Sequence, residues 1–108
     1  MKRGDIYWCD FEPAIGNEIK KLRPAIIVSN NLSNKYIGVI QVIPLTSNIT
    51  NVYPGECLIE TKVKIAKALC SQITTLDKTR VKDQMDVINN QDMQKLEKAM
   101  KLQLGLDH

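Results

Sequence analysis

Lys20-Lys21-Leu22-Arg23-Pro24-Ala25-Ile26-Ile27-Val28-Ser29-Asn30-Asn31 is the stretch around which the rest of the chain can be arranged. Its apolar run, Ala25 to Val28, predicts a buried strand, because β-branched side chains pack well on a pleated surface and an unbroken apolar run leaves neither face to water. Arg23 stands where the preceding loop becomes core. Pro24 fixes its own φ and biases its predecessor towards extended geometry, so Arg23 is held by the backbone rather than left on a mobile tip. A guanidinium fixed in this way suits a fixed anion. A second apolar strand closes on Pro44-Leu45-Thr46-Ser47-Asn48, and its two hydroxyls are expected to meet Arg23 at a phosphate.

Working outward, 108 residues with 44% hydrophobic and 25% charged content make one domain with one core. A net charge of +3 and a pI near 8.8 suit an acidic partner such as nucleic acid without requiring one. The distribution is more telling. Lys62, Lys64, Lys67, Lys78, Arg80 and Lys82 face a single acid, Asp77, within that segment, which reads either as a basic contact surface or as a solvated face. Cys9, Cys57 and Cys70 lie far apart in apolar surroundings, with no paired-ligand spacing, so buried thiols in a reducing compartment are expected, and no metal. Asp5 and Asp10 interrupt any secretory apolar core, and no run is long enough to span a bilayer. The expectation is a cytoplasmic protein without a membrane partner.

Along the chain, Gly4 to Phe11 predicts a first strand in which Trp8 is either a base-stacking face or, as the strand context favours, a core residue. Glu12 to Leu22 is long and polar for a connection between strands, with Pro13 and Gly16-Asn17 as turn formers, and reads as a lid beside Arg23. Ser29 to Asn34 is a turn cluster. Tyr36 to Leu45 predicts a strand whose Pro44 implies an edge or an exit from pairing. Glu56 to Thr61 and Lys67 to Thr74 add two more strands, joined by a basic connection from Lys62 to Ala66. Five strands with short turns suggest a small barrel. Thr75 to Val81 reads as a turn or short helix with Asp77 as its cap, and Met85 to Ile88 as a short last strand. From Asn90 onward Met93, Leu96, Met100 and Leu104 recur at helical spacing, with Asn89 or Asn90 as N-cap, Asp92 in the first turn and Gly105 past the end.

The missing residues narrow the chemistry. His108, the only histidine, is the last residue and is expected to fray, so no histidine-based triad or pair can be assembled dependably. Phosphate-binding glycine loops and clustered carboxylates for two metals are also missing from the sequence. An enzyme built from this chain works with arginine, hydroxyls and isolated carboxylates. RNA suits such a site because its 2′-hydroxyl supplies the nucleophile, leaving the protein to orient a phosphate and stabilise its developing charge.

Five blocks occur in order: Lys2-Arg3-Gly4-Asp5-Ile6-Tyr7, Gly16-Asn17-Glu18, Leu22-Arg23-Pro24-Ala25-Ile26-Ile27-Val28, Pro44-Leu45-Thr46-Ser47 and Gln72-Ile73-Thr74-Thr75-Leu76-Asp77-Lys78. In this arrangement the chain resembles the MazF/PemK family of type II toxin-antitoxin ribonucleases along nearly its whole length. The resemblance implies a mainly β (α+β) fold, an SH3-like antiparallel β-barrel with a C-terminal amphipathic helix. It implies a homodimer and a metal-independent endoribonuclease, free of cofactors, acting on single-stranded RNA including mRNA. It also implies a cognate antitoxin with an acidic segment. By position Arg23 corresponds to the catalytic arginine and Thr46 to the phosphate-orienting hydroxyl. Glu18 corresponds to a loop acid able to assist proton transfer, with a solvated carboxylate as the alternative. Asp77 corresponds to an acid of some members, with a helix cap as the alternative. Asn17, Lys20, Lys21, Ser47, Asn48, Gln72, Thr74 and Lys78 fall in regions expected to contact RNA. Two positions depart from the family: Ile19 stands where many members have glutamine, and Thr74 where many have arginine. Two other readings remain: a non-enzymatic gyrase inhibitor of the same fold, like CcdB, whose terminal Trp-Gly-Ile this chain lacks, and an RNA-binding module without catalysis.

Overall fold

Strand β2 (Leu22–Ile27) lies between β1 (Asp5–Asp10) and β3 (Val39–Thr46) in a computed structural model that describes residues 1–106. Both neighbours are antiparallel to it. The strand begins earlier than its apolar run, so Arg23 and Pro24 are part of the sheet, opposite Cys9 and Trp8 of β1. Ile26 faces one apolar cluster while Ala25 and Ile27 face another, which explains the absence of polar alternation. The expectation for His108 lies outside the described residues.

Downstream come β4 (Glu56–Glu60), β5 (Ile65–Leu69), β6 (Thr74–Asp77) and β7 (Val81–Val87). The described residues therefore form seven strands rather than five and a short last one. The expected strand from Lys67 to Thr74 is split by a 3-10 turn at Cys70–Gln72, and β5 starts inside the expected basic connection. Ser29 to Asn34, expected as a turn cluster, leads instead into a short helix, α1 (Asn31–Tyr36), because Asn30 accepts from the Ser33 N–H at 2.8 Å and caps its first turn. Asp77 ends β6 and caps the 3-10 turn Lys78–Arg80 through Thr79, as expected.

The sheet order is β4-β5-β3-β2-β1-β7, with β6 also paired to β3. The ladder is not closed into the expected barrel, since β4 and β7 do not pair. Side chains span that gap instead. Asp86 of β7 accepts from the Lys62 N–H at 2.8 Å, and Asp92 accepts from the Glu60 N–H at 2.8 Å. Pro44 is not on an edge strand. It sits opposite Ala25, while on the other side the β6 partners of β3 end at Val42 and the β5 partners begin at Leu45. Pro44 therefore falls where β3 passes from one neighbour to the next, and its missing N–H leaves no ladder bond unmade there.

The C-terminal helix α2 (Asn90–Gln103) is capped by Asn89, which accepts from the Asp92 N–H at 2.8 Å. Its Leu96 is fully buried and, with Ala99, joins the larger cluster, against which Met93 and Met100 also pack. Removing Leu96 to alanine would cost roughly 2 to 5 kcal/mol. The Arg3-Gly4-Asp5 block is structural. Arg3 ties β2 to α2 by donating from Nε to Val28 O at 3.0 Å and pairing with Glu97 at 3.1 Å. Gly4 has φ +96°, and a Cβ there would stand 3.2 Å from Ile88, so the position is closed to other residues without strain.

Candidate functional site

The β2–β3 pairing ends with Ala25 opposite Pro44, and two residues further along each strand Arg23 and Thr46 line one cavity. These two strand ends and the turn between β4 and β5 enclose a cavity of about 280 Å³. Lys21, Arg23 and Lys64 bring positive charge to it, Thr46, Ser47 and Thr61 bring hydroxyls, and Trp8 brings an aromatic face. None of the described residues lining it is acidic. Arg23 donates from Nε to Lys20 O at 2.8 Å. That bond orients the guanidinium, and among the described residues neither Nη group has a protein partner. Thr46 accepts at Oγ1 from the Asn48 N–H at 3.2 Å, and Asn48 in turn accepts from the Thr50 N–H at 3.1 Å. The Thr46 hydroxyl proton is thus left to donate outward. Such a set of cations, hydroxyls and one aromatic face matches a phosphodiester with an adjacent base.

Trp8, for which the strand context favoured a core role, is 37% exposed and lines this cavity. Alternation in β1 turns it away from the fully buried Cys9, and its pairing with Pro24 places it next to Arg23. Thr61 and Lys64 line the cavity as well, and no local sequence feature marks either as a site residue. Lys64 was visible only as one charge in a basic segment. Thr61 holds the β4–β5 turn by donating to Lys64 O at 2.7 Å.

The remaining candidates do not share this cavity. Asn17, Glu18, Gln72, Thr74 and Asp77 line a larger one, about 630 Å³, together with Ile19 and Arg80. Glu18 accepts from the Ile15 N–H at 2.7 Å and braces a turn of its own loop. The Asp77 carboxyl accepts from the Thr79 backbone N–H and hydroxyl, which hold it below the usual carboxylate range with help from Arg80. Gln72 is engaged at both ends by the Glu12–Leu22 loop, which is therefore pinned down rather than free as a lid. Ile19 packs against the smaller apolar cluster, which suits an apolar residue at this position.

The basic segment divides. Lys67 is buried, paired with Glu56 at 3.2 Å and donating to Thr50 O and Asn51 O, so it anchors the loop that follows Thr46 and is withdrawn from any surface contact. Lys78 donates to Asn34 O at the end of α1. Lys20 is exposed and contributes its carbonyl to Arg23. All three cysteines are free and buried, as expected. Among the described residues no group of His, Cys, Asp and Glu is placed to hold a metal, and no helix is long and apolar enough to cross a membrane.

Fold and site together define a small mainly β protein with a cavity at adjacent strand ends whose largely apolar lining carries three cations and three hydroxyls. The chain belongs to the family described as PemK-like, MazF-like toxin of type II toxin-antitoxin system, whose pattern matches residues 2–104. It is 36% identical to Endoribonuclease MazF9 of Mycobacterium tuberculosis over 98% of each chain. It is 35% identical to Endoribonuclease MazF of Staphylococcus saprophyticus, covering 98% of this chain and 92% of that one. In structure it superposes on MazF of Deinococcus radiodurans with a TM-score of 0.86 at 24% identity, over 97% of this chain and 96% of the other. A mycobacterial endoribonuclease solved with its cognate antitoxin gives 0.85 at 24% identity, over 100% and 98%. At that identity the structural likeness speaks for the fold.

Proposed function

We propose that this chain is the toxin of a type II toxin-antitoxin pair and an endoribonuclease that cuts single-stranded RNA, including mRNA, at short sequences without a metal. Family membership and the two endoribonuclease relatives support the class of activity. The observation that carries the chemistry is the cavity in which Arg23, with both Nη groups unengaged, stands beside Thr46 with no acid among the described lining residues. The 2′-oxygen attacks the adjacent phosphorus, the bond to the 5′-oxygen breaks, and the proton lost from the 2′-hydroxyl is matched by one gained at the leaving 5′-oxygen. The products are a 2′,3′-cyclic phosphate and a 5′-hydroxyl. Arg23 stabilises the charge growing on the non-bridging oxygens, and Thr46 orients the phosphate by donating its hydroxyl proton. Trp8 offers a stacking face, and Lys21 and Lys64 neutralise neighbouring phosphates. Glu18 and Asp77 line the other cavity, so we assign them to the RNA path and not to the reacting phosphate.

Cleavage of mRNA would arrest translation and growth in the cytoplasm. The same cations would attract the acidic segment of an antitoxin. A homodimer is the expected assembly, because a domain of this size gains by covering exposed apolar residues. Incubation with a pool of random single-stranded RNA, followed by sequencing of the new 5′ ends, tests the reading. Cyclic phosphates should appear with EDTA present, and a 2′-deoxy sugar at the cleavage position should block the cut. Cleavage of that deoxy substrate would overturn the mechanism.

A further inference from the structure

We propose that Gln72 is a positioning residue that sets the aim of Arg23 through the backbone of the Glu12–Leu22 loop. The inference rests on the assignment of Arg23 to the reacting phosphate. Gln72 reaches across 53 and 55 positions of sequence to hold that loop by its backbone at two points. Its Oε1 accepts from the Ile19 N–H at 3.1 Å, and its Nε2 donates to Asn17 O at 3.0 Å. One residue beyond Ile19, the Lys20 carbonyl accepts from Arg23 Nε at 2.8 Å. Lys21 then turns the chain with φ +70°, so the path from the clamped backbone to Arg23 is a tight bend with little slack.

Both ends of the loop are held by other bonds, Lys21 N–H to Glu12 Oε1 at 2.9 Å and Phe11 N–H to Lys21 O at 3.0 Å among them, so the Gln72 clamp bears on its middle. Residues 15 to 18 are exposed, and Ile19 is the part of that stretch packed against an apolar cluster. A loop with few buried contacts opens at low free-energy cost. With the Gln72 carboxamide removed, the backbone from Asn17 to Ile19 loosens and the Lys20–Lys21 peptide is held from the Lys21 side only, by Glu12 Oε1 at 2.9 Å, so the guanidinium keeps its preset direction less firmly. Preorganisation of this kind acts on the transition state more than on the bound ground state. The clamp uses one of the two Nε2 protons and one of the two Oε1 lone pairs of Gln72.

Single-turnover cleavage and RNA affinity are to be measured for Gln72→Leu, Gln72→Glu, Arg23→Ala and the two double variants. Gln72→Leu should lower the cleavage rate about tenfold, with the Kd for a non-cleavable RNA within about twofold of wild type. In the Arg23→Ala background it should change nothing further, a non-additivity that general loosening of the fold would not produce. Gln72→Glu keeps the acceptor for Ile19 but sets a carboxylate oxygen against Asn17 O in place of the donor, so its rate should fall at least as far as that of Gln72→Leu. It also carries the test should Gln72→Leu fail to fold. An unchanged rate, a Kd weakened as much as the rate, or a full effect without Arg23 would each overturn the proposal. A normal rate for Arg23→Ala would instead overturn the assignment of Arg23 itself.

Discussion

Replacing Arg23 by alanine leaves Thr46 and the lysines in place and removes the one planar cation at the junction of β2 and β3. Its Nε is engaged by Lys20 O at 2.8 Å, so two Nη groups are left for the phosphate. Two charge-assisted hydrogen bonds made mainly in the transition state are worth about 1.5 to 3 kcal/mol each, or about 3 to 6 kcal/mol together. At about 1.4 kcal/mol per tenfold, the rate should fall by roughly 10² to 10⁴. Arg23→Lys should recover only part of this, because an ammonium cannot hold Lys20 O and meet two oxygens at once. The assay is single-turnover cleavage of an oligonucleotide with one ribose at the cleavage position, with binding measured separately on its all-deoxy form. Binding should weaken far less than the rate, since Lys21 and Lys64 remain. A rate within about threefold of wild type would refute the role given to Arg23.

Thr46→Ala should cost one hydrogen bond to the phosphate, about 1 to 2 kcal/mol or roughly 5- to 30-fold in the same assay. Lys67→Met leaves Glu56 without its ion pair and frees the carbonyls of Thr50 and Asn51. Loss of one partner from a largely buried pair should lower stability by about 2 to 4 kcal/mol in a urea titration, while the salt dependence of RNA binding stays as it was. Burial pushes the thiols of Cys9 and Cys70 up to about 12 and that of Cys57 up to about 11. Iodoacetamide at pH 8 should therefore modify none of them in the folded protein and all three in denaturant. The folded state keeps these protons where the unfolded chain, with thiols near 9.0, releases them. Their contribution to stability is present below pH 9 and is lost as pH rises from there through 11 to 12. A pH series of melting temperatures that stays flat above 9 would contradict it.

The strands β1, β2 and β4 and the helix α2 were legible because each carries its own pattern: an apolar run, an alternation, or a helical stripe with a capping asparagine. That Arg23 and Thr46 would line one cavity was legible because a proline-led strand start and a hydroxyl-ended strand are local features. Three kinds of feature were not. The division of Lys67 to Thr74 into β5, a 3-10 turn and β6 depends on where β3 changes partners, and no composition cue marks Cys70–Gln72 as a corner. The exposure of Trp8 depends on which face of β1 the sheet covers, and both faces carry apolar residues. Lys67 and Lys78 look like surface charges in sequence, yet both are tied to distant backbone carbonyls, Lys67 to those of a loop and Lys78 to that of Asn34 in α1, a pairing that residue type alone does not announce.

The separation of charge between the two cavities links these observations. The smaller one holds three cations and, among the described residues, no acid, whereas the larger one holds Glu18 and Asp77 against Arg80, which donates to Glu12 O. A polyanion is therefore drawn to the smaller cavity and discouraged from laying its phosphates in the larger one. Groups offered by the larger cavity, chiefly the hydroxyls of Ser71, Thr74 and Thr75 and two carboxylates, suit the donor-bearing edges of bases better than phosphate oxygens. The pinned loop from Glu12 to Leu22 belongs to both sites: Asn17, Glu18 and Ile19 line one, and Lys20 orients the arginine of the other. Base contacts in the larger cavity would thus bear on the same stretch of backbone that aims Arg23, and so a substitution at Thr74 or Ile19 would reach the rate of cleavage as well as the choice of sequence.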